Sequence, residues 1–488
     1  MARAKRATSR ARPSAAAPRA PPAVSHVADV GPKLPRALER LVDRGPAALE
    51  EVDHDKSGAK GRPWGRVRPT HEGDLVALVR WAGPRGVPLV ARGGGTSLDG
   101  ESAPVRGGLV VDLSGWDQLL EVNEEDLWVR VQPGLINYRL QELLRPRGLF
   151  YPPNPGSWES STLGGNAATN ASGFRSFRYG PTRAWVLRAR AVLGTGETVE
   201  VGTLTWKRSA GVDLLPSLLG SEGTLGILTE LTLRVAPLPA RRIGLLAPVP
   251  ESASLGRIAQ GLQWARREGL SAVEWVDARV ASELARGVGL PLPSGSGALL
   301  LEVEVPREIV EDVPSRWERG LRPLGIEGAV RPFEDADGLW RARGKAGALL
   351  DAQVGPRVRE DVAVPLSKWD ALMEGVRDLA RRRGVGLVLY AHLGEGTLHP
   401  NFAVPPSSSV ARELRRDLWH LAWSLGGTAS SEHGLGSLKA EAYVQEHGRA
   451  STRALRQLKD ALDPYGILNP GKFWEQTDRA KRTVGPGR

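Results

Sequence analysis

Residues 87–97 read Val87-Pro88-Leu89-Val90-Ala91-Arg92-Gly93-Gly94-Gly95-Thr96-Ser97, an apolar run that breaks into three glycines and two hydroxyl residues. Val87, Leu89 and Val90 predict a short buried strand. Glycine permits positive φ and close backbone approach, so consecutive N–H groups after the strand can turn towards one anion. Arg92 adds a positive charge, and Thr96 and Ser97 add hydroxyl donors, a set suited to a pyrophosphate. No Gly-Lys-Ser/Thr follows, which excludes a Walker A loop. The glycines are contiguous and Pro104 comes soon after, which excludes the spaced pattern that opens a Rossmann helix. An ordinary Gly-rich turn fits this stretch equally well when it is read alone.

Two further stretches share its character. Pro152 to Gly173 (PPNPGSWESSTLGGNAATNASG) is too polar and too small in side chain to be core, and too long for a simple connection. Such residues let backbone lie against a flat ligand. Leu219 to Ile227 (LGSEGTLGI) runs into a strand ending near Val235, and Pro237 and Pro239 close the segment. Around these, Thr70 is placed to cap a helix with Leu75, Val76, Leu78 and Val79 on its apolar face. Strands are expected at 109–113, 127–132, 184–193 and 197–201, and a helix at 136–147.

Composition sets the limits. A chain of 488 residues with 41% hydrophobic and 25% charged residues is globular and long enough for roughly two or three domains. No apolar run reaches the ~18 residues of a membrane-spanning helix. The absence of cysteine excludes disulfides, thiolate metal sites and iron–sulfur ligation within the chain. Six of the eleven excess positive charges are Arg3, Lys5, Arg6, Arg10, Arg12 and Arg19, in an Ala/Pro/Ser-rich leader without apolar periodicity. That leader (1–33) is expected to be disordered. The balance of the chain is only mildly basic, which argues against a nucleic-acid partner. A cytoplasmic location is expected, with peripheral membrane attachment and organellar import by the leader as alternatives.

From 242 onwards strand-like and helix-like segments alternate. Strands are expected at 243–249, 272–277, 298–305, 361–364 and 386–391, with helices at 251–268, 278–287, 307–323, 338–350, 367–383, 408–425, 439–448 and 451–462. This predicts an α+β unit, an antiparallel sheet covered by helices on one face. Within it, strand 386–391 delivers His392 into a glycine-containing loop that can bring His399 back beside it, and Glu432-His433 stands in a Ser/Gly-rich loop. Two imidazoles and a carboxylate form an open site for catalytic Zn²⁺ or Mn²⁺. A purely structural histidine cluster is the competing reading.

Taken together these motifs resemble a known family. Arg92-Gly-Gly-Gly-Thr-Ser97, Thr162-Leu-Gly-Gly-Asn-Ala-Ala-Thr-Asn-Ala171, Arg178-Tyr-Gly180, Gly211 with Asp213-Leu214, and Gly220-Ser-Glu-Gly-Thr-Leu-Gly226 resemble the FAD-binding domain of the vanillyl-alcohol oxidase/p-cresol methylhydroxylase type. Asp361-Val-Ala-Val-Pro365, His392-Leu-Gly-Glu-Gly-Thr-Leu-His399, Glu432-His-Gly-Leu-Gly436 and Leu468-Asn-Pro-Gly471 resemble the cap of the D-lactate, glycolate and D-2-hydroxyglutarate dehydrogenase branch. The implied fold is α+β: a two-part FAD-binding domain (34–240), an α+β cap with an antiparallel sheet (241–460), a C-terminal return to the FAD site (461–475) and a loose tail (476–488).

The resemblance also implies roles. Arg92, Gly93, Gly94, Gly95, Thr96 and Ser97 would cradle the FAD pyrophosphate. Pro153, Ser161, Thr162, Gly164, Gly165 and Asn166 would line the flavin, together with Thr169, Asn170, Ala171 and Tyr179. Glu222, Gly223, Thr224, Gly226 and Ile227 would close around the adenosine half, with Asn469 from the C-terminal return. Glu222 is either a ligand contact or a structural carboxylate holding loop N–H groups. No histidine or cysteine stands in these loops to attach the cofactor, so FAD is expected to be non-covalent.

In the cap, His392, His399 and Glu432 match metal ligands and His433 the general base, a role suited to an imidazole. Asn401 matches a substrate contact, Arg343 a carboxylate clamp, and Arg359 stands where the hydroxyglutarate branch has a lysine. Glu395 and Thr397 replace Asp and Asn of the family theme, and Gly347 replaces a threonine, which leaves hydroxyglutarate itself open as substrate. The implied reaction is FAD-dependent oxidation of a D-2-hydroxy acid to the 2-oxo acid. The electron acceptor (quinone, electron-transfer flavoprotein, cytochrome or oxygen) stays open, and a homodimer is compatible. The rival is an alkylglycerone-phosphate synthase-like transferase on the same FAD fold, whose histidine-rich loop differs from Ser431-Glu432-His433.

Overall fold

The computed structural model describes residues 31–475 apart from 206, 290–291, 307–311, 328–329 and 334–335. The expectations for the basic leader, but for its last three residues, and for the tail lie outside the described residues.

Leu89–Arg92 is a strand, as its apolar run requires. It pairs in parallel with Leu109–Asp112, which pairs in parallel with Gly65–Val67, and Val42–Asp43 adds an antiparallel edge. Leu109, Val110 and Val111 are all buried, the near-continuous pattern of a parallel strand covered on both faces. The helix Glu72–Ala82 packs here. Its cap is His71 rather than Thr70: His71 accepts from the Asp74 N–H at 3.2 Å, and Thr70 instead donates its hydroxyl to Asp74 at 2.6 Å. Asp74 therefore serves as the carboxylate of the helix start.

A second, five-stranded antiparallel sheet follows in the order Leu119–Asn123, Trp128–Val131, Ile227–Arg234, Val186–Val192, Thr198–Gly202. The third glycine stretch thus feeds the central strand of this sheet.

The cap is built on an eight-stranded sheet. Along its main path the order is Arg331–Phe333, Arg241–Val249, Gly297–Val305, Leu270–Val276, Leu387–His392, Thr397–Phe402 and Val358–Arg359, and Val362–Ala363 also pairs with Thr397–Phe402. Its pairings are antiparallel, as expected. The expectation of helices on one face needs correction. Leu255–Leu262, Val313–Leu321, Trp369–Arg383 and Ser409–Ser424 cover one side through Leu245, Val273, Leu299 and Leu301. Ala278–Val288 and Ala336–Val354 cover the other through Leu246, Ala272, Val276 and Leu300. The reason is in the strands: Gly297–Val305 and Leu270–Val276 carry apolar residues at consecutive positions, and both of their faces must leave water.

The two helices expected at 439–448 and 451–462 are halves of Ala442–Leu462, broken at Gly448, whose φ is 72°. Ala440, Tyr443, Phe473 and Trp474 join the core of the five-stranded sheet, so the chain is already back against the first unit well before residue 461. Ile467–Asn469 then lies beside the opening strand, with hydrogen bonds between Leu89 and both Ile467 and Asn469 at 2.8 Å.

Candidate active site

One cavity of about 610 Å³ joins the two units. Its walls on one side are the three glycine stretches, including Arg92–Ser97, Thr162, Gly164–Asn166, Thr169, Ala171, Glu222, Gly223, Gly226 and Ile227. The contiguous glycines are explained by a close approach: a Cβ on Gly93 would stand 2.1 Å from the Thr162 hydroxyl, and one on Gly94 2.3 Å from the Ser160 carbonyl. The first and second loops are therefore pressed edge to edge, and Thr162 caps the helix Leu163–Thr169 by accepting from Gly165 N–H at 3.2 Å. Arg92 folds under its own loop and donates to the carbonyls of His54 at 2.6 Å and Glu51 at 3.1 Å. Asn166 carries a buried side-chain N–H donor with no protein partner at the cavity wall, which suits a polar ligand laid along these loops.

Six of the residues expected at the cofactor stand behind this wall. The Pro153 carbonyl accepts from Asn137 at 2.9 Å, Ser161 is buried, and Asn170 accepts the Arg183 N–H at 2.9 Å. The Tyr179 hydroxyl donates to Glu304 at 2.5 Å. Thr224 accepts from the Trp474 indole at 2.8 Å, and Asn469 donates to the carbonyls of Glu101 and Glu222, both at 2.7 Å. Glu222 lines the cavity, but its carboxylate accepts the N–H groups of Leu435 at 2.8 Å and Gly436 at 3.0 Å. It thus pins the first unit to the segment that follows His433. Burial pushes its pKa up to about 7 against those two hydrogen bonds.

The opposite wall is the cap sheet. His392 and His399 are not in a long loop but on a tight hairpin, Leu387–His392 and Thr397–Phe402, joined through Gly396 at φ 86°. Tyr390 pairs with His399 and His392 with Thr397 in register, so both imidazoles occupy one face with their ring centres 5.0 Å apart. Glu432 meets them there. Its Oε1 lies 3.2 Å from His392 Nε2, 3.0 Å from His399 Nε2 and 3.3 Å from His433 Nε2. Its other oxygen accepts from the Ser172 hydroxyl at 2.9 Å, a contact from the first unit.

Two buried carboxylates organise this constellation. Glu274, directly across from His392 in the neighbouring strand, bonds His392 Nδ1 and accepts from Arg343 at 3.3 Å. Asp361 accepts the N–H groups of Ser431, Glu432 and His433 at 2.8–3.0 Å, stands 3.3 Å from His433 Nδ1, and pairs with the buried Lys439. Asp361 thereby holds the whole turn that carries Glu432 and His433.

The electrostatics follow the pairing. Burial opposes charge on His392, but Glu274 and Glu432 outweigh it and hold its pKa well above the usual value. Burial likewise opposes charge on His433, and Asp361 and Glu432 raise it well above the usual value. For His399 burial wins and lowers the pKa despite Glu432. Against burial, His392 and His399 keep Glu432 well below the carboxylate range, and Lys439 and His433 do the same for Asp361. Glu395 is pushed up to about 8, chiefly by burial.

His392, His399 and Glu432 offer three ligand atoms within 4.8 Å of one another. The donor set suits Zn²⁺ or Mn²⁺, and the Glu274 contact to Nδ1 leaves Nε2 facing the centre, as metal-bound imidazoles require. A second group of the same compactness, Asp99, Asp361 and His433, fits a metal poorly. Lys439 already stands 3.1 Å from Asp99 and bonded to Asp361, and fills the place of a cation.

Arg343 lines the cavity from the helix Ala336–Val354, its guanidinium 4.4 Å above the Tyr390 ring. Arg359 also lines it, opposite Asn401 in register. Asn401 is buried at 1% exposure, donates to the His399 carbonyl at 3.0 Å and does not form part of the wall. Sequence reasoning missed Glu274, Ser172 and Arg357, which lines the cavity beside Arg359. The available signal for Glu274 was a lone acid inside an apolar strand, Leu270-Ser-Ala-Val-Glu274-Trp-Val276.

Comparison with known proteins agrees with this division. Residues 63–202 match the family model of the FAD binding domain, and residues 238–473 that of the FAD linked oxidases, C-terminal domain. The glycolate oxidase subunit GlcD of Bacillus subtilis is 32% identical over 427 residues, covering 86% of this chain and 90% of its own. A D-2-hydroxyglutarate dehydrogenase of Stutzerimonas stutzeri is 28% identical over 467 residues, covering 91% and 99%. In fold, the substrate complex of p-cresol methylhydroxylase superposes with a TM-score of 0.74 at 15% identity, covering 90% and 95%. Alkyldihydroxyacetonephosphate synthase gives 0.68 at 20%, covering 94% and 89%.

Proposed function

This chain belongs to the FAD-linked oxidases, and from that premise we infer that it oxidises a D-2-hydroxy acid to the 2-oxo acid, with a divalent metal assisting. The observation that carries the reading is the convergence of His392, His399 and His433 on one oxygen of Glu432, in a cavity whose other walls are the glycine loops.

The loops Arg92–Ser97, Thr162–Ala171 and Glu222–Ile227 would hold FAD, which would supply the acceptor for the hydride lost from C2. A Zn²⁺ or Mn²⁺ held by His392, His399 and Glu432 would supply a Lewis acid for the substrate oxygens. His433 Nε2 is the atom placed to take the hydroxyl proton once the ring is in its neutral form. Asp361 faces its Nδ1 and three neighbouring backbone N–H groups, which fixes both the tautomer and the position of the ring. Arg343 presents a guanidinium to the cavity while Glu274 and the Tyr390 ring fix its direction, an arrangement suited to a substrate carboxylate. The catalytic wall and the cofactor wall come from different units and face one another across the cavity.

An anaerobic panel of D-2-hydroxy acids, followed by flavin absorbance, tests this. Flavin bleaching by at least one acid is expected, and its loss in His433→Ala with FAD retained. Bleaching at the normal rate in that variant refutes the base assignment. A protein that keeps FAD but is bleached by no 2-hydroxy acid returns the transferase reading to first place.

A further inference from the structure

His433 stands where two sets of ligand atoms meet. On its Nε2 side is Glu432, which it shares with His392 and His399. With Asp99 and Asp361 it forms a second group, whose three ligand atoms also lie within 4.8 Å of one another. Asp361 is fully buried. Its Oδ2 accepts the N–H groups of Ser431, Glu432 and His433, while its Oδ1 faces His433 Nδ1 at 3.3 Å and bonds Lys439. Asp99 reaches in from two residues beyond Ser97, on the first glycine loop, and is also buried. Its Oδ2 accepts no hydrogen bond and is balanced by the charge of Lys439 Nζ, 3.1 Å away. A third carboxylate, Glu360, stands 3.9 Å from the same nitrogen and is bonded by Arg415.

Lys439 is fully buried, which lysine rarely is unless paired. Burial opposes its charge, but Asp361, Asp99 and Glu360 outweigh burial and hold its pKa above the usual range, so it is an ammonium. The two carboxylates require a cation between them, and a divalent metal would meet that need as well. The two solutions differ at His433. An ammonium has three donors and no acceptor, so it answers Asp361 and Asp99 and leaves both ring nitrogens uncoordinated. A metal in the same place would take Nδ1 as its third ligand and turn the imidazole from a proton acceptor into part of a metal site.

We propose that Lys439 is a built-in cation that fills the second three-ligand site, Asp99–Asp361–His433, and thereby keeps a divalent metal from claiming His433. Lys439 is thus a positioning residue acting through Asp361, and its protective role rests on the reading of His433 as the base.

The test counts zinc. Holoprotein stripped with a chelator is titrated with Zn²⁺ by calorimetry, and bound zinc is measured by elemental analysis after gel filtration. Lys439→Ala is expected to take up one more zinc ion per chain than wild type, and its thermal midpoint to rise further on zinc addition. The double variant Asp99→Ala/Lys439→Ala should return to the wild-type count. Equal counts in wild type and Lys439→Ala refute the proposal, as does an extra zinc that persists without Asp99. If Lys439→Ala does not fold, expression with zinc in the medium decides: a folded, FAD-containing protein with the extra zinc supports the stand-in, and failure to recover one overturns it. Because the readout is a difference, it holds whether or not His392, His399 and Glu432 bind a metal. With the extra zinc bound, flavin reduction by an acid that wild type oxidises should be lost while FAD stays; reduction at the wild-type rate would refute the protective role. If no 2-hydroxy acid reduces the wild-type flavin, the oxidation reading fails and the zinc count still decides whether Lys439 fills a metal site.

Discussion

Glu274→Gln changes one atom in a fully buried side chain, and the structure says where the effect goes. The carboxylate serves two donors, His392 at Nδ1 and Arg343 at 3.3 Å. A glutamine has one acceptor and one donor group in the same outline. If its amide nitrogen faces Arg343, two donors oppose each other. If it faces His392, Nδ1 must accept, the ring proton moves to Nε2, and the lone pair that faces Glu432 is lost. Either arrangement weakens the centre formed by His392, His399 and Glu432. Loss of such an outer hydrogen bond costs metal ligands about 10- to 100-fold in affinity, which corresponds to about 1.4–2.8 kcal/mol. The expected result is a metal Kd raised by that factor in calorimetric titration of the metal-stripped holoprotein. FAD content should be unchanged, because Glu274 does not line the cofactor wall. A metal Kd within twofold of wild type would show that Glu274 does not set the His392 tautomer and that the reasoning is wrong.

Gly94→Ala places a methyl group 2.3 Å from the Ser160 carbonyl, so the first and second loops must part. Overpacking of this kind costs about 1–3 kcal/mol, and the expected readout is loss of FAD on gel filtration with secondary structure retained; full retention would refute the edge-to-edge packing. Glu302 is fully buried, and despite that burial the charge of Arg175 lowers its pKa from 4.5 to about 2. A depressed carboxylate adds stability above its unfolded pKa and loses it as pH falls through the folded one. Urea midpoints should therefore drop between pH 4.5 and about 2. Glu302→Gln should be less stable at pH 7 and flatter across that window, and a variant with the wild-type pH profile would assign the acid sensitivity elsewhere.

The parts of the site that could be read from the sequence are those where backbone geometry restricts the residue type. Gly93 and Gly94 must lack a Cβ because Thr162 and Ser160 occupy the space, and that need shows as consecutive glycines. His392 and His399 are likewise visible because a hairpin of fixed length returns one beside the other. What the motifs conceal is which of their residues face the ligand. Thr224 belongs to the same string as Gly223, and Tyr179 and Asn469 to the motifs Arg178–Gly180 and Leu468–Gly471, yet they bond Trp474, Glu304 and Glu101 behind the wall. A string marks a packed unit, and its supporting and contacting members look alike in one dimension. Glu302 was hidden for the opposite reason. Polar residues at alternate positions, here Glu302 and Glu304, ordinarily mark a solvent face, whereas this face is covered by the first unit and by two helices. The number of covered faces is a tertiary fact, and the one-faced cap expected from the pattern fails at the same point.

Segment 172–175 follows directly on the loop that lines the cofactor wall, and each of three of its residues grips a different part of the cap. Ser172 holds the free oxygen of Glu432 at 2.9 Å. Phe174 stacks on Trp340 with centroids 4.8 Å apart and meets the edge of His392, and Arg175 bonds Glu302 at 2.7 Å. From the other direction, Glu222 holds the N–H groups just after His433. The Arg175–Glu302 tie is buried and the Ser172–Glu432 tie partly so, and a buried polar group left without its partner costs about 1–3 kcal/mol. An open arrangement of the two units would part the buried Arg175 guanidinium and Glu222 carboxylate from partners that lie across the interface. The closed one satisfies them and, by the same contacts, sets Glu432 and His433 over the cofactor wall. Docking of the units and assembly of the reactive constellation are therefore one event, and a substitution at the interface should act on the histidine and carboxylate centre even where it touches none of its ligands.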